Sequence, residues 1–251
     1  YAVDISGWKL TGPIEHTFAP GTVLPTNGSV YVSPDVVAFR ARTAAPRGGQ
    51  SLFVQGNYQG QLTARGATLR LLDAKQREAA TLTYVGSPTP AQEFLRVTEI
   101  MFRPLPDKNP AAYEDGDFEY LVLKNVGPQT LDLAGVQFTN GIYFRFTNSP
   151  ASLLSAGHSI YLVKNPNAFA ARYGLGFNIA GPYSGSLNNG GERLRLDDAS
   201  GETVLDFDYD NSWYAAADGQ GFSLVIADET TRWDARGEKT AWRPSPAVYG
   251  S

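Results

Sequence analysis

The sequence predicts an all-β protein composed of two related units, on the basis of three observations. The block Leu131–Tyr209 repeats a block already present at Val3–Tyr84. The chain contains 26 glycines and 16 prolines, residues that separate short strands by turns. Its apolar residues occur in short runs, and none approaches the length of about 18 residues that a membrane-spanning helix requires.

The repeat consists of short matched segments whose spacing drifts slightly along the chain. The offset between matched residues is 128 at Asp4/Asp132, 130 at Phe39/Phe169 and 125 at Gly60/Gly185. Such drift places insertions in the turns between matched strands, as expected of a doubled domain. A solenoid would need a shorter period, about 20–50 residues, and usually three or more copies.

Turn residues and alternating apolar positions divide the first unit, residues 1–90, into short strands. Ser33 followed by Pro34 predicts a short helix with Ser33 as its N-cap. Ser87–Ala91 is interpreted as a linker. The strands are predicted near Val3–Ile5, Trp8–Leu10, Ile14–Phe18, Ser29–Val32, Leu52–Val54, Leu69–Leu71 and Leu82–Tyr84.

The second unit, residues 91–251, begins with material that the first unit lacks. Two strands, Leu95–Phe102 and Phe118–Asn125, precede the repeated block. Within the block, Ser159–Val163 is predicted as a buried strand, and Asn165 with Pro166 starts a short helix. A further strand is predicted at Phe222–Ile226. The segment Asp228–Ser251 is polar and is expected to be irregular, held to the surface by its tryptophans.

An ordered series of motifs runs through the second unit and carries a resemblance to a known family. The motifs are Ile100–Pro104, Phe118–Asn125, Leu131–Phe138, Leu154–Gly157, Tyr183–Glu192 and Asp218–Leu224. In this order they resemble the lamin-tail domain, in the form found in bacterial secreted and surface proteins. The resemblance implies two immunoglobulin-like β-sandwich domains in tandem, the first incomplete, each with one short helix. That fold agrees with the short alternating strands and turns.

The first unit departs from the family pattern because it lacks three strands of the second. It has no counterparts of Leu95–Phe102, Phe118–Asn125 and Phe222–Ile226. Unpaired strand edges are normally covered in proteins. We therefore expect the two initial strands to come from sequence ahead of Tyr1, with a neighbouring domain, the C-terminal tail or a second molecule as the alternatives for completing the edges.

Three aspartates at alternating positions form the strongest candidate metal site. Asp206, Asp208 and Asp210 resemble the start of a calcium loop, and carboxylate oxygens are the ligands that Ca²⁺ prefers. The simpler interpretation is a strand whose alternate side chains share the face exposed to water. The Gly and the distal Glu of an EF-hand loop are missing. Ca²⁺ is the one cofactor considered, and otherwise none is expected.

No catalytic residue is predicted, and the protein is not expected to be an enzyme. The chain has no cysteine and only two histidines, His16 and His158, at non-equivalent places in the repeat. No Gly-Lys-Ser or Gly-Lys-Thr sequence of a P-loop occurs. The resemblance transfers no catalytic residue either, because lamin-tail domains carry no family active site.

Three aromatic residues near glycine or proline are the candidate ligand-binding residues. Trp213, Tyr214 and Trp242 could form a platform on which a sugar stacks, since such rings are enriched at binding surfaces. The alternative is that they close the ends of the sandwich.

The sequence therefore predicts a non-catalytic interaction or spacer module of a larger exported bacterial protein, located outside the cell or on its surface. The expected partners are other domains of the same longer chain or separate proteins. The alternative is a carbohydrate- or nucleic-acid-binding accessory domain that serves a linked hydrolase. The net charge of −4 argues against nucleic acid, because phosphate contacts dominate that affinity. No membrane insertion is expected.

Overall fold

The computed structural model describes residues 1–45, 51–106, 112–147 and 152–250. It divides the chain into two compact units, unit 1 (Tyr1–Pro88) and unit 2 (Thr89–Ser251); the boundary expected from the sequence lies two residues later. Strands predominate in both units, and the α-helices are five to eight residues long. The prediction of an all-β protein is confirmed.

Unit 1 contains one five-stranded sheet and two short ribbons. Its elements are β1 (Val3–Asp4), β2 (Lys9–Thr11), β3 (Ile14–Thr17), β4 (Val23–Leu24), β5 (Tyr31–Ser33), α1 (Val36–Arg40), β6 (Val54–Gly56), β7 (Gln59–Gly60), β8 (Gly66–Leu72) and β9 (Glu78–Val85). The sheet has the order β7-β3-β2-β8-β9, and the ribbons are β1–β4 and the parallel pair β5–β6.

Helix α1 starts later than the sequence predicted, because Asp35 and not Ser33 is its N-cap. The Asp35 carboxylate accepts a hydrogen bond from the amide of Ala38 at 2.9 Å. The Ser33 hydroxyl instead donates to the carbonyl oxygen of Asp35 at 2.8 Å. A carboxylate satisfies an exposed amide of the first turn as well as a hydroxyl does, so Ser33 is free to end strand β5.

Unit 2 contains a six-stranded and a four-stranded sheet. Its elements are α2 (Pro90–Phe94), β10 (Leu95–Met101), β11 (Tyr120–Asn125), β12 (Leu131–Asp132), β13 (Gln137–Asn140), β14 (Phe144–Arg145), β15 (Leu153–Leu154), β16 (Ser159–Val163), α3 (Pro166–Tyr173), β17 (Ile179–Pro182), β18 (Gly191–Asp197), β19 (Thr203–Asp210), β20 (Leu224–Ile226) and β21 (Trp242–Pro244). The larger sheet has the order β17-β16-β11-β10-β20-β21, the smaller sheet has the order β14-β13-β18-β19, and β12 pairs with β15.

One apolar core lies between the two larger sheets of unit 2, which gives a sandwich-like arrangement. Buried side chains of β10 and β11, such as Leu95 and Leu121, belong to the same cluster as Leu194 and Phe207 of the opposite sheet. Side chains that alternate along each strand supply this core. The smaller sheet therefore has one face that the larger sheet covers.

Two predictions about unit 2 are wrong in part. The boundary between the units lies within the predicted linker Ser87–Ala91, but the linker's last two residues begin α2, because Thr89 and Gln92 form a capping box in which each side chain binds the other's backbone amide. The described part of unit 2 thus has two α-helices and not one. The C-terminal segment is not wholly irregular, since Trp242 at the start of β21 pairs with Ile226 of β20.

Among the described residues, no helix has the length and apolar character needed to cross a membrane.

Candidate interaction surface

The repeated blocks of the two units share the same backbone hydrogen bonds, which establishes residue-by-residue equivalence. The amide of Ile5 donates to the carbonyl of Thr22 at 2.9 Å, as the amide of Leu133 donates to Ser152 at 2.9 Å. A glycine with positive φ follows two residues later in both blocks, 71° at Gly7 and 82° at Gly135. The strand pairs β1–β4 and β12–β15 are therefore counterparts.

The two longest hairpins are also counterparts and have the same register. Leu69 of β8 lies opposite Leu82 of β9, and Leu194 of β18 lies opposite Phe207 of β19. Each pair of equivalent residues is 125 positions apart. Leu82 in unit 1 therefore occupies the position of Phe207 in unit 2, and Tyr84 occupies that of Tyr209.

Equivalent side chains on these hairpins differ sharply in burial. Phe207 is 5% exposed, whereas Leu82 is 63% exposed. Leu194, Leu196 and Tyr209 are buried, but their counterparts in unit 1 are only half-buried. We call the corresponding surface of unit 1 the open face; it consists of Leu69, Leu71, Ala80, Leu82 and Tyr84.

The difference arises because strands β10 and β11 cover the face in unit 2. Strand β11 pairs antiparallel with β16, with Tyr120 opposite Val163 and Lys124 opposite Ser159. Strand β10 pairs with the other side of β11. Both strands place apolar side chains into the core. In the described part of unit 1, no strand lies in these positions.

Strand β5 of unit 1 is the counterpart of β16. Each pairs in parallel with the next strand, β6 or β17, and each leads into a helix capped by Asp35 or Asn165. The rings of Tyr31 and Phe39 lie 5.8 Å apart, as do those of their counterparts Tyr161 and Phe169. Within the described residues, β5 pairs with β6 on one side only, and we call its other side the β5 edge.

An apolar face beside an unpaired strand edge is suited to binding another strand. The edge presents amide and carbonyl groups to a partner, and the face offers apolar area. Exposed apolar patches on soluble domains commonly mark interaction sites. The open face and the β5 edge are therefore the candidate interaction surface.

The three aspartates proposed as calcium ligands do not come together. Their strand has its aromatic side chains in the core and its aspartates outside, as the simpler interpretation expected. The Asp206 carboxylate binds the Arg193 guanidinium through two contacts of 2.5 and 2.6 Å, and Asp210 caps the next turn by accepting from the amide of Ser212. Across the described residues, no group of three or more His, Cys, Asp or Glu side chains could hold a metal ion.

The candidate aromatic platform is also not assembled. Trp242 is 1% exposed, its ring stacks on Phe207 at 5.6 Å, and its indole N–H donates to the carbonyl of Arg236. A ring covered in this way offers no surface to a sugar. Trp213 and Tyr214 are half-buried against the core, and the Tyr214 hydroxyl donates to the carbonyl of Trp242. All three side chains therefore pack in or against the core of unit 2.

An aromatic cavity of about 260 Å³ lies on the outer face of the six-stranded sheet and was not expected. Its walls include Tyr120, Tyr161, Phe169, Tyr173 and Phe177. The sequence did contain a signal for it. Strands β11 and β16 have apolar or aromatic residues at nearly every position, which indicates cover on both faces, and α3 provides the outer cover.

A polar cavity of about 270 Å³ at the start of β11 contains a buried carboxylate. Its wall includes Glu119, whose Oε2 accepts from the amide of Leu187 at 2.8 Å and from the Tyr183 hydroxyl at 3.0 Å. Burial raises the pKa of Glu119 to about 7, against the lowering effect of these hydrogen bonds and of Lys164. The Arg103–Asp218 ion pair of 2.6 Å lies at the same cavity.

The comparisons with known proteins identify no family for this chain. No family model matches it, and no curated protein matches it. A crystal structure of a DUF4876 family protein from Bacteroides thetaiotaomicron VPI-5482 is similar with a TM-score of 0.31 and 11% sequence identity, over 77% of this chain and 67% of that chain. At this score the likeness supports no conclusion about function.

Proposed function

We propose that the chain is a non-catalytic interaction or spacer module of a larger exported bacterial protein. It consists of two lamin-tail units with immunoglobulin-like topology, of which the first is incomplete. The ordered motifs of the sequence support the family, and the two-sheet arrangement of unit 2 agrees with it. The partner is another domain of the same longer chain or a separate protein.

The single observation that carries this proposal is the open face. Leu82 is 63% exposed where its counterpart Phe207 is 5% exposed, and both belong to the same repeated framework. Apolar area of this kind stabilises a complex when it is covered, at about 25 cal/mol per Å². The open face is apolar but is not covered by the described residues of unit 1, and we infer that another polypeptide segment contacts it.

Position-specific crosslinking in the producing cell tests the proposal. A photoreactive side chain at position 82 points into the open face, whereas one at position 83, the matched control, points to the opposite side of β9. We expect a defined adduct from position 82 and none from position 83. Adducts from neither position, or equal adducts from both, would contradict an interaction at this face.

The alternative is a carbohydrate-binding accessory domain that serves a linked hydrolase, and the aromatic cavity of unit 2 favours it. Of the rings that line this cavity of about 260 Å³, Tyr161 and Tyr173 are half-buried and Phe177 is exposed, so these three have surface on which a sugar can stack. Binding on a glycan array that Tyr161→Ala abolishes and Trp213→Ala leaves intact would support this function. The absence of binding to every sugar would remove it. The net charge of −4 continues to argue against nucleic acid.

A further inference from the structure

The open face has a counterpart in unit 2 that shows what covers such a surface. We propose that an antiparallel strand pair of the same polypeptide, placed ahead of Val3 in chain order, completes unit 1 in the way that β10 and β11 complete unit 2. This inference rests on the proposed function, because it names what the interaction surface binds.

The order of elements in unit 2 fixes where this strand pair belongs. There, β10 and β11 come directly before the repeated block, and Asn125 at the end of β11 lies six positions before Leu131 at the start of β12. Strand β1 is the counterpart of β12, with Val3 in the place of Leu131. The strand that corresponds to β11 therefore ends about six positions ahead of Val3, if the same short connection is used.

The strand that corresponds to β11 in the proposed pair is called the donated strand. Its backbone pairing with β5 follows from the way β11 pairs with β16 in unit 2. Strand β16 receives β11 with Val122 opposite Tyr161 and Tyr120 opposite Val163. Tyr31 and Ser33 of β5 occupy the positions of Tyr161 and Val163. The donated strand therefore runs antiparallel to β5.

The amide of Tyr31 donates to Phe53 and the carbonyl of Ser33 accepts from Tyr58, so both groups face β6. Backbone groups alternate between the two sides of a strand, so the donated strand pairs with the amide and carbonyl of Val32.

The side-chain chemistry of the proposed strand pair also follows from unit 2. The inward residues of β10 and β11 are all apolar, namely Leu95, Val97, Ile100, Leu121 and Leu123. The open face that the strand pair would meet is itself built from leucine, alanine and tyrosine, without a charged side chain. Both strands of the proposed pair are therefore expected to have apolar residues at alternate positions. Their apolar side chains would pack on the open face, while the backbone of one strand would pair with the β5 edge.

A second copy of the chain explains less of the structure. Two open faces packed against each other would cover Leu82, but they would leave the β5 edge without a hydrogen-bonded neighbour. A strand pair covers the face and the edge at once. Dimerisation through the open face is therefore the competing explanation, and the experiment below includes a measurement that detects it.

The chain has no cysteine, so single-cysteine variants report burial directly. Leu82→Cys is prepared in residues 1–251 and in the protein extended by the natural residues upstream of Tyr1. We expect the extension to slow thiol labelling at position 82 by more than about tenfold, because labelling then requires local opening. Thr83→Cys on the outer side is the matched control and should label equally fast in both proteins. Circular dichroism and the melting temperature show that each variant is folded.

Three results would overturn the inference. The first is an upstream sequence that lacks two strand-like segments with apolar residues at alternate positions, the second of them ending within about ten positions of Val3. Another is equal labelling of Leu82→Cys with and without the extension. The third is slow labelling of Leu82→Cys in residues 1–251 that becomes slower as the protein concentration rises, together with a dimer in analytical ultracentrifugation. This result would show that a second copy of the chain covers the open face.

The crosslinks from position 82 separate this inference from the proposed function. An adduct with the upstream part of the same polypeptide supports both. An adduct with a different protein contradicts the strand pair and leaves an interaction module in place. The absence of any adduct contradicts the interaction function itself.

Discussion

Unit 1 and unit 2 contain the same repeated framework but differ in what lies over it. The hairpins β8–β9 and β18–β19 have the same register, yet Leu82 is exposed and Phe207 is buried. The local sequence is thus sufficient to specify the hairpin, whereas burial depends on strands elsewhere in the chain. A β-hairpin has two faces, and which one becomes a core depends on the element that packs against it.

The largest expected effect comes from truncating the equivalent residues Phe207 and Leu82. Phe207→Ala leaves a cavity in a closed core and should lower the free energy of unfolding of unit 2 by about 3–5 kcal/mol. In residues 1–251, Leu82→Ala removes a mostly exposed side chain and should change the free energy of unfolding of unit 1 by less than about 0.5 kcal/mol. Equilibrium urea unfolding, monitored through hydrogen exchange of the amides in each hairpin, measures both changes in the free energy of unfolding. Equal losses in the two units would show that the open face is covered.

The next effect is a pH dependence that belongs to unit 2. Glu119 precedes β11, a strand without a described counterpart in unit 1, and burial raises its pKa to about 7. The folded state therefore holds the proton more tightly than the unfolded state, and this contribution to stability is present at low pH and lost as the pH rises from about 4.5 to about 7. The loss should be of the order of 1–3 kcal/mol.

The variant Glu119→Gln is the control for this pH dependence. Its amide oxygen can still accept from Leu187 and Tyr183, but it does not titrate. The melting temperature of the native protein should fall relative to that of the variant as the pH rises from about 4.5 to about 7, the range between the unfolded and folded pKa values of Glu119. A constant difference across that range would contradict the assignment.

A smaller effect should be equal in the two units, because both use the same capping device. Asp35 and Asn165 each accept from amides in the first turn of their helices. Replacing either residue by alanine should lower the free energy of unfolding by about 0.5–2 kcal/mol. Thermal unfolding of Asp35→Ala and Asn165→Ala measures the costs, and a negligible cost for Asp35→Ala alone would show that α1 depends on other contacts.

The smallest effect concerns the ion pair on the outer side of unit 2. Asp206→Asn removes the charge that holds Arg193 and should cost only about 0.2–1 kcal/mol, since both side chains are partly exposed. Thr81, the equivalent residue of unit 1, carries no charge. Calcium at millimolar concentration should leave the melting temperature of the native protein unchanged, and a clear rise that Asp206→Asn abolishes would restore the calcium site.

Much of the framework was predictable because it is local. The spacing of apolar residues indicated the strands of both blocks, and Asn165 with Pro166 marked the start of α3 correctly. The capping box at Thr89 was missed because its proline and threonine also suit a linker. Strand β21 was missed because its three residues show no period, and its position depends on the burial of Trp242.

The candidate site was harder to predict because burial is a tertiary property. The sequence indicated that unit 1 lacks strands, and so it pointed to an edge. It could not indicate that Trp242 lies in the core, since an isolated Trp near Pro and Gly has the same appearance at a surface. Nor could it show that Asp206 is already bound to Arg193, a contact between adjacent strands 13 residues apart in sequence.

The central claim is that equivalent inner positions are open in unit 1 and closed in unit 2. Thiol labelling of Ala80→Cys and Leu205→Cys in residues 1–251 tests it most directly, because these residues lie opposite Leu71 and Leu196 in the matched hairpins. We expect Ala80→Cys to label at close to the rate of an unfolded peptide and Leu205→Cys to label only through opening of the core. Equal slow labelling of the two would contradict the claim.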